Sequence, residues 1–188
     1  MAVYPGTTVT VKGNVSGKQF LSGLFMGNGG IVMQQLNALT GIKTPTLQNW
    51  VSRGFIPHPQ NKRYTKDATA RIFIVNAMRD TMSLEEIKKL LIYVNGNPDN
   101  REDDIIPESA LYGYFCEVIF DENFSFKRVN ELIAKVIANY EEKLREAKHR
   151  VKTALEIICV NYLANDLLSR SKTLLNSIEE KNIFGEEI

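Results

Sequence analysis

One stretch of this 188-residue sequence decides its fold: Ile42-Lys43-Thr44-Pro45-Thr46-Leu47-Gln48-Asn49-Trp50-Val51-Ser52-Arg53-Gly54. Thr44 is suited to be an N-cap because its hydroxyl can accept a hydrogen bond from a free backbone amide, and the proline after it suits the first helical position. Leu47 and Trp50 fall on one helical face, and Gly54 can take the left-handed conformation that ends a helix. The stretch therefore predicts a short helix over residues 45–53.

A second helix is predicted immediately before this one. Apolar residues recur at helical spacing from Ile31 and Val32 to Leu39. Gly41 ends that run. Because only about four residues join the two helices, the pair has the pattern of a helix-turn-helix.

The segment that follows, residues 57–64, cannot be helical because two prolines interrupt it. It ends in the cluster Lys62-Arg63-Tyr64, so it predicts an extended loop or tight hairpin with basic residues near its far end. We expect this segment to form a short basic wing beside the two helices.

Two further helices complete the predicted head, which covers residues 31–95. Apolar residues mark a third helix that starts at Lys66 and runs to Met78. The run Ser83-Leu84-Glu85-Glu86 is a capping box and opens a fourth helix that ends near Val94. A cluster of Asn, Gly, Pro and Asp then predicts a linker over residues 96–106.

The tail, residues 107–188, is helical by pattern. Pro107 to Phe120 predicts one helix, and an apolar stripe from Phe126 to Tyr140 predicts another. Residues 141–150 are strongly charged and predict a bend or an exposed stretch. Val151 to Ile178 is apolar again, with a face wider than a coiled-coil seam, which favours a helical bundle completed by a second subunit.

Residues 1–30 hold seven of the twelve glycines, and we expect a loose N-terminal arm. Thr8 to Lys12 alternates like a short strand that Gly13-Asn14 could turn into a hairpin. The run Gly27-Asn28-Gly29-Gly30 could cradle a phosphate before a helix. It lacks the Lys-Ser/Thr of a P-loop, so a flexible linker is the favoured interpretation.

Composition narrows the class of protein. With 44% hydrophobic and 24% charged residues the chain is expected to be globular, and no apolar run is long enough for a membrane span. A secretory signal is not evident, so a cytoplasmic protein is expected. The charge is divided, because residues 31–95 carry +5 and residues 96–188 carry −6. A basic front on an acidic rear fits a nucleic-acid-binding head on a tail with another role.

The histidines and cysteines of the sequence favour a protein that is not an enzyme. His58 and His149 lack a nucleophile partner and the HExxH spacing. Cys116 and Cys159 lie far apart, which argues against a metal knuckle, and Cys116 is expected to be buried in a helix. We expect no metal and no cofactor.

Aromatic residues in the tail leave one alternative open. They could line a pocket for a small-molecule effector, or they could form the core of the bundle. These residues are Tyr112, Tyr114, Phe115, Tyr140 and Tyr162.

The segment Leu36 to Leu91 resembles the DNA-binding head of MerR-type regulators. The matching residues are Gly41-Ile42, Thr46-Leu47, Trp50, Arg53-Gly54-Phe55-Ile56-Pro57, Lys62-Arg63-Tyr64 and Ser83-Leu84-Glu85-Glu86-Ile87. The whole chain is also similar to an uncharacterised bacterial family with a MerR-like head and a helical C-terminal region. The resemblance implies a mainly α protein, with a winged helix-turn-helix head followed by a helical bundle tail.

In such heads the second helix lies in the major groove of double-stranded DNA and the wing grips the backbone. The resemblance therefore implies a set of DNA-binding residues, with Thr46, Gln48 and Asn49 facing the bases and the basic residues holding phosphates. The full set is Thr44, Thr46, Gln48, Asn49, Arg53, Lys62, Arg63, Tyr64 and Lys66.

The sequence thus predicts a sequence-specific DNA-binding transcription regulator that dimerises through residues 107–188. Gln48-Asn49 stand where the resembled heads carry a basic and an aromatic residue, and the wing is short. These departures motivate the alternative, a degenerate winged helix that binds protein and not DNA.

Overall fold

The computed structural model describes residues 3–11, 13–27, 29–96, 102, 104–142 and 144–180. The chain is mainly helical, with one small two-stranded sheet in these ranges. In chain order the elements are α1 (Gly17–Gly23), β1 (Ile31–Val32), α2 (Met33–Thr40), α3 (Thr44–Ser52), β2 (Arg63–Tyr64), α4 (Lys66–Met78), α5 (Leu84–Asn95), α6 (Glu108–Ile119), α7 (Val129–Val136) and α8 (Ala147–Glu180). In this described part of the chain every helix is too short or too polar to cross a membrane.

The short sheet corrects the predicted start of the first helix of the pair. Ile31 and Val32 are extended and pair antiparallel with β2, Ile31 opposite Tyr64 and Val32 opposite Arg63. Helix α2 begins only after them, where the Gln35 side chain accepts a hydrogen bond from the Val32 amide at 3.0 Å. Ile31 and Val32 are β-branched, which suits a strand, and their pairing with β2 joins the residues before α2 to those that follow α3.

Helix α3 forms where the sequence predicted it, with a shifted start. Its N-cap is Lys43, so the prediction of Thr44 as N-cap is wrong and proline occupies the second helical position. The Thr44 hydroxyl accepts instead a hydrogen bond from the Asn37 side-chain amide of α2 at 2.8 Å. Gly54 follows the helix with φ +68°, as the sequence predicted for its end.

Helix α4 is the centre of the core. From Ala68 to Met78 it is buried at every position except the half-buried Asn76. Arg71 lies on this helix, and its guanidinium meets the Glu108 carboxylate of α6 at 3.0 Å with both side chains at most 1% exposed. Head and tail therefore share one interior.

Helix α5 begins with the predicted capping box. The Ser83 hydroxyl accepts from the Glu86 amide, and the Glu86 carboxylate accepts from the Ser83 amide. The predicted linker 96–106 falls partly on residues 97–101 and 103, which lie outside the described residues. The last residue of this segment, Ile106, does not behave as a linker residue, because it is buried. Its carbonyl accepts a hydrogen bond from the Asn95 side-chain amide, and its backbone N–H donates to the Asn95 side-chain oxygen.

The N-terminal residues are not a loose arm. Tyr4 is buried, and its ring stacks on Phe20 of α1 at 3.9 Å between centroids and meets Phe120 edge-on at 5.7 Å. The predicted Thr8–Lys12 hairpin strand does not form within the described residues, where Thr10 bridges back to Val3 instead. Lys12 and Asn28, and thus parts of the predicted hairpin and glycine linker, lie outside the described residues.

The tail consists of α6, α7 and α8, with a bend in the charged stretch as predicted. Phe126 precedes α7 and is 71% exposed, so it does not belong to that helix's buried stripe. The tail's aromatic rings Tyr112 and Phe115 are fully buried and pack against neighbouring rings. Residues 181–188 of the predicted tail lie outside the described residues.

Candidate nucleic-acid interface

One face of α3 is exposed and polar. Leu47 and Trp50 are buried and hold the helix to the core. Pro45, Gln48, Asn49 and Ser52 are exposed. Because these four follow the spacing i, i+3, i+4, i+7, they form one continuous stripe along the helix. Thr46 is half-buried at the edge of this stripe.

The stripe presents two carboxamides side by side, on Gln48 and Asn49. Each carboxamide offers one acceptor oxygen and two N–H donors. Paired donor and acceptor groups on Gln and Asn match the N6 and N7 edge of adenine in the major groove. The geometry of α3 is therefore suited to contact base edges.

A tight turn follows α3 and presents a basic tip. Gln60 and Arg63 exchange backbone hydrogen bonds of 2.9 and 2.8 Å, and the residues between them, Asn61 and Lys62, have φ of 49° and 63°. Two successive left-handed residues are typical of the type I′ turn that closes a hairpin. Lys62 lies at the tip of this turn and is exposed. Of the two forms predicted for residues 57–64, an extended loop or a tight hairpin, the structure has a tight turn over Gln60–Arg63.

The turn is anchored to the residue before β1. The Arg63 guanidinium donates to the Gly30 carbonyl at 2.9 Å. Gly30 has φ +136°, and a Cβ there would lie 2.9 Å from the Arg63 Cβ and from the Tyr64 carbonyl oxygen. Glycine is therefore required at this close approach.

Arg53 lies at the C-terminal end of α3 and already has partners. Its guanidinium contacts the Glu85 carboxylate of α5 at 2.8 Å, with side chains 48% and 68% exposed, and lies 4.8 Å from the Phe55 ring centroid. Lys88 donates to the Arg53 carbonyl at 3.3 Å. An ion pair this exposed is weak, so Arg53 can exchange Glu85 for a phosphate at little cost.

Three predicted contact residues are engaged elsewhere in the protein. Tyr64 is 2% exposed and packs into the core, and burial raises the pKa of its hydroxyl, so it cannot reach a phosphate. Lys66 donates to the Ser22 hydroxyl of α1 at 2.8 Å and lines a cleft with Lys18 and α6. Thr44, already bonded to Asn37, is half-buried.

Lys43 is a functional candidate that the sequence reasoning missed. It is exposed and caps the N-terminus of α3, directly beside the polar stripe. The distribution of charge in the sequence also pointed to this region, because Asp67 is the first acidic residue of the chain. Every ionisable group from residue 1 to residue 66 that is charged at neutral pH, apart from the histidine, is therefore a cation.

Other kinds of site have less support in the described part of the chain. No group of three or more His, Cys, Asp or Glu residues there could hold a metal ion. Cys116 and Cys159 are both buried, as predicted for Cys116. Burial raises the pKa of both thiols, that of Cys159 to about 12, so neither is an activated nucleophile.

Part of the chain is similar to a family of unknown function. Residues 30–115 match the family described as "Domain of unknown function (DUF1836)". A similar curated protein is "Uncharacterized protein YkrK" of Bacillus subtilis (strain 168), 29% identical over 95 residues. That alignment covers 48% of this chain and 40% of the relative, so the chain spans well under half of the relative's length. No solved structure matches.

Proposed function

We propose that the chain is a sequence-specific DNA-binding regulator of transcription, and not an enzyme. In this proposal α2 and α3 form a helix-turn-helix of the MerR type, α3 enters the major groove, and the Gln60–Arg63 turn is a short wing on the DNA backbone. The observation that carries the proposal is the exposed stripe of α3, whose two carboxamides lie in a segment without acidic residues.

Cations at the margins of the stripe support this proposal. Lys43 lies at the N-terminal end of α3, Arg53 lies at its C-terminal end, and Lys62 lies at the tip of the turn. Phosphate contacts from such residues fix the register of a protein on DNA, while the carboxamides read bases. Each phosphate that is neutralised releases counterions, so the affinity should fall steeply with salt.

We further propose that the tail forms a homodimer through residues 107–188, so that two heads read half-sites about one helical turn, or ~34 Å, apart. A tail that joins the head through one core could also transmit the binding of a small-molecule effector to α3. Such a ligand stays a proposal without a chemical class.

The test is a selection of bound fragments from randomised duplex DNA with the full chain, followed by salt titration on the selected duplex. Lys62→Ala should weaken binding and reduce the slope of log affinity against log salt by about 0.9. Lys127→Ala removes the same charge from an exposed position before α7 and is the matched control. Gln48→Ala should instead relax base preference and leave the slope unchanged.

A second candidate function is a protein-binding winged helix. It is favoured by the internal partners of the two arginines, since Arg53 contacts Glu85 and Arg63 contacts Gly30. Absence of binding to any duplex at low salt would support this candidate and overturn the first.

A further inference from the structure

The second half of α8 extends beyond the packed body of the molecule. Up to Asn161 the helix is largely buried, and Asn161 itself is 8% exposed and accepts a hydrogen bond from the Thr81 hydroxyl at 2.8 Å. From Ala164 to Ile178 most side chains are exposed. Five large apolar side chains lie on this exposed part: Leu167 (66% exposed), Leu168 (40%), Leu174 (61%), Leu175 (59%) and Ile178 (45%).

The exposed apolar residues continue a regular seam that starts inside the body. The residues of this seam are separated alternately by four and three positions along α8, which is the a/d spacing of a coiled coil. These positions are Thr153, Ile157, Val160, Ala164, Leu167, Ser171, Leu174 and Ile178. Leu168 and Leu175 flank the seam on one side, and the residues seven and fourteen positions before Leu168 on that side, Asn161 and Ala154, are buried against the body.

The first half of the same seam borders an apolar groove. Between α5 and α8 lies a groove of about 390 Å³, with Leu90, Tyr93 and Ile157 in its lining. A second depression of about 420 Å³, which shares Met82 and Ile157 with the first, continues it along α8 to Ala164. The body therefore leaves an apolar trough along one half of α8 and an apolar ridge along the other half.

We infer that the exposed half of α8 docks antiparallel into the α5–α8 groove of a second copy of this chain. The seam sets the register, because a two-fold axis between Ala164 and Leu167 brings those two positions together across the dimer. The partner's Leu174 then lies over Ile157, and the partner's Ile178 lies over Thr153. This inference rests on the homodimer of the proposed function and is independent of DNA binding.

The antiparallel arrangement is favoured because it covers both surfaces at once. In an antiparallel pair, the residues that flank the seam on one helix lie next to the residues that flank it on the same side of the partner helix. The partner's Leu168 and Leu175 therefore lie beside Asn161 and Ala154, against the body. A parallel pair would bring ridge to ridge and leave both grooves open to water. The two-fold contact is also closed, since each copy supplies one ridge and one groove.

The mass in solution tests the interface. The wild-type chain, 21.3 kDa as a monomer, should show twice that mass by light scattering at about 100 µM without DNA. Leu174→Lys should halve the measured mass. The circular dichroism spectrum of this variant should not change, because Leu174 is 61% exposed in the single chain. Asn176→Lys, on the exposed opposite face of α8, is the matched control and should stay dimeric. A monomeric wild type, or a dimeric Leu174→Lys, would overturn the inference.

Disulfide trapping tests the register. An equimolar mixture of full-length Ile157→Cys and Leu174→Cys chains should form a mixed disulfide on mild oxidation, while each variant alone should not cross-link. Ile157→Cys mixed with Asn176→Cys is the control and should give little product. The native Cys116 and Cys159 are buried and stay reduced. A disulfide between two Ile157→Cys chains would show a parallel pair and refute the register. Because no DNA is present, failure here is distinct from failure to bind a duplex.

Discussion

The buried ion pair between α4 and α6 makes a quantitative prediction about how head and tail are joined. Arg71 and Glu108 are 0% and 1% exposed, and the Arg71 Nε also donates to the Phe55 carbonyl at 2.8 Å. Glu108→Ala removes the carboxylate that contacts the Arg71 guanidinium in the interior. Removing one partner of such a pair costs about 3–5 kcal/mol of the free energy of unfolding.

For a chain of this size, 1 kcal/mol corresponds to about 2–4 °C in Tm, so Glu108→Ala should lower Tm by roughly 6–20 °C. Urea denaturation followed by circular dichroism measures the same loss as a lower midpoint with an unchanged slope. The double variant Arg71→Met/Glu108→Leu removes both charges and should recover most of the loss, since apolar replacement of a whole buried pair is often neutral or stabilising.

The exposed Arg53–Glu85 pair is the matched control. Its N–O distance of 2.8 Å is close to the 3.0 Å of the buried pair, so burial is the main difference. Glu85→Ala should cost about 1 kcal/mol or less. Equal losses for Glu85→Ala and Glu108→Ala would refute the argument that desolvation sets the cost.

Three other substitutions test local features by the urea midpoint. Gly6→Ala should destabilise the fold by well over about 1 kcal/mol, because Gly6 has φ +70° and a Cβ would lie 1.9 Å from the Phe73 carbonyl oxygen; an unchanged midpoint would contradict this. Ser83→Ala should cost about 1 kcal/mol by removing the capping box with Glu86, and an unchanged midpoint would show that this turn is frayed in solution. Tyr64→Phe should leave stability unchanged or raise it by up to about 1 kcal/mol, because the buried hydroxyl has no hydrogen-bond partner among the described residues; weaker DNA binding by this variant would show that Tyr64 does reach the duplex.

Local signals in the sequence predicted the helices that depend on local chemistry. The capping box at Ser83 placed the start of α5, because both of its hydrogen bonds join residues three positions apart. Gly54 placed the end of α3 for the same kind of reason. The N-cap of α3 was misplaced because Thr44 has a competing partner, the Asn37 amide, on another helix. A side chain that suits a cap is diverted when a neighbouring element supplies a partner.

The N-terminal residues could not be predicted because their order comes from distant contacts. Glycines indicated a loose arm, yet three of them, Gly6, Gly17 and Gly30, are sites of close packing. A Cβ on Gly17 would lie 2.3 Å from the Cβ of Cys116, almost a hundred residues later in the chain. Tyr4 is ordered by Phe120 in the same way. Composition carries no information about which residue a glycine must approach.

The exposure of the polar face of α3 was predicted correctly, and the exposure of Tyr64 was not. Gln48 and Asn49 are exposed on α3 because helical spacing separates them from the buried Leu47 and Trp50. Tyr64 was grouped with Lys62 and Arg63 because the three are consecutive. In a strand, neighbouring side chains point to opposite sides, so an exposed Arg63 requires Tyr64 to face inward. Alternation was therefore the signal that would have excluded Tyr64.

The shared core also decides what counts as one unit in this chain. The predicted head ends at residue 95, yet the similarity to the family of unknown function extends to residue 115 and so includes Glu108. That carboxylate pairs with Arg71 of α4 in the interior, so a head cut at residue 95 would lose both this ion pair and the helix that covers α4. The segment that would present α3 to DNA thus needs α6, and α6 packs on α8, the helix that we infer forms the dimer. A change in the packing of α8 can therefore reach α4, the helix that directly follows the basic turn, through side chains that are already in contact.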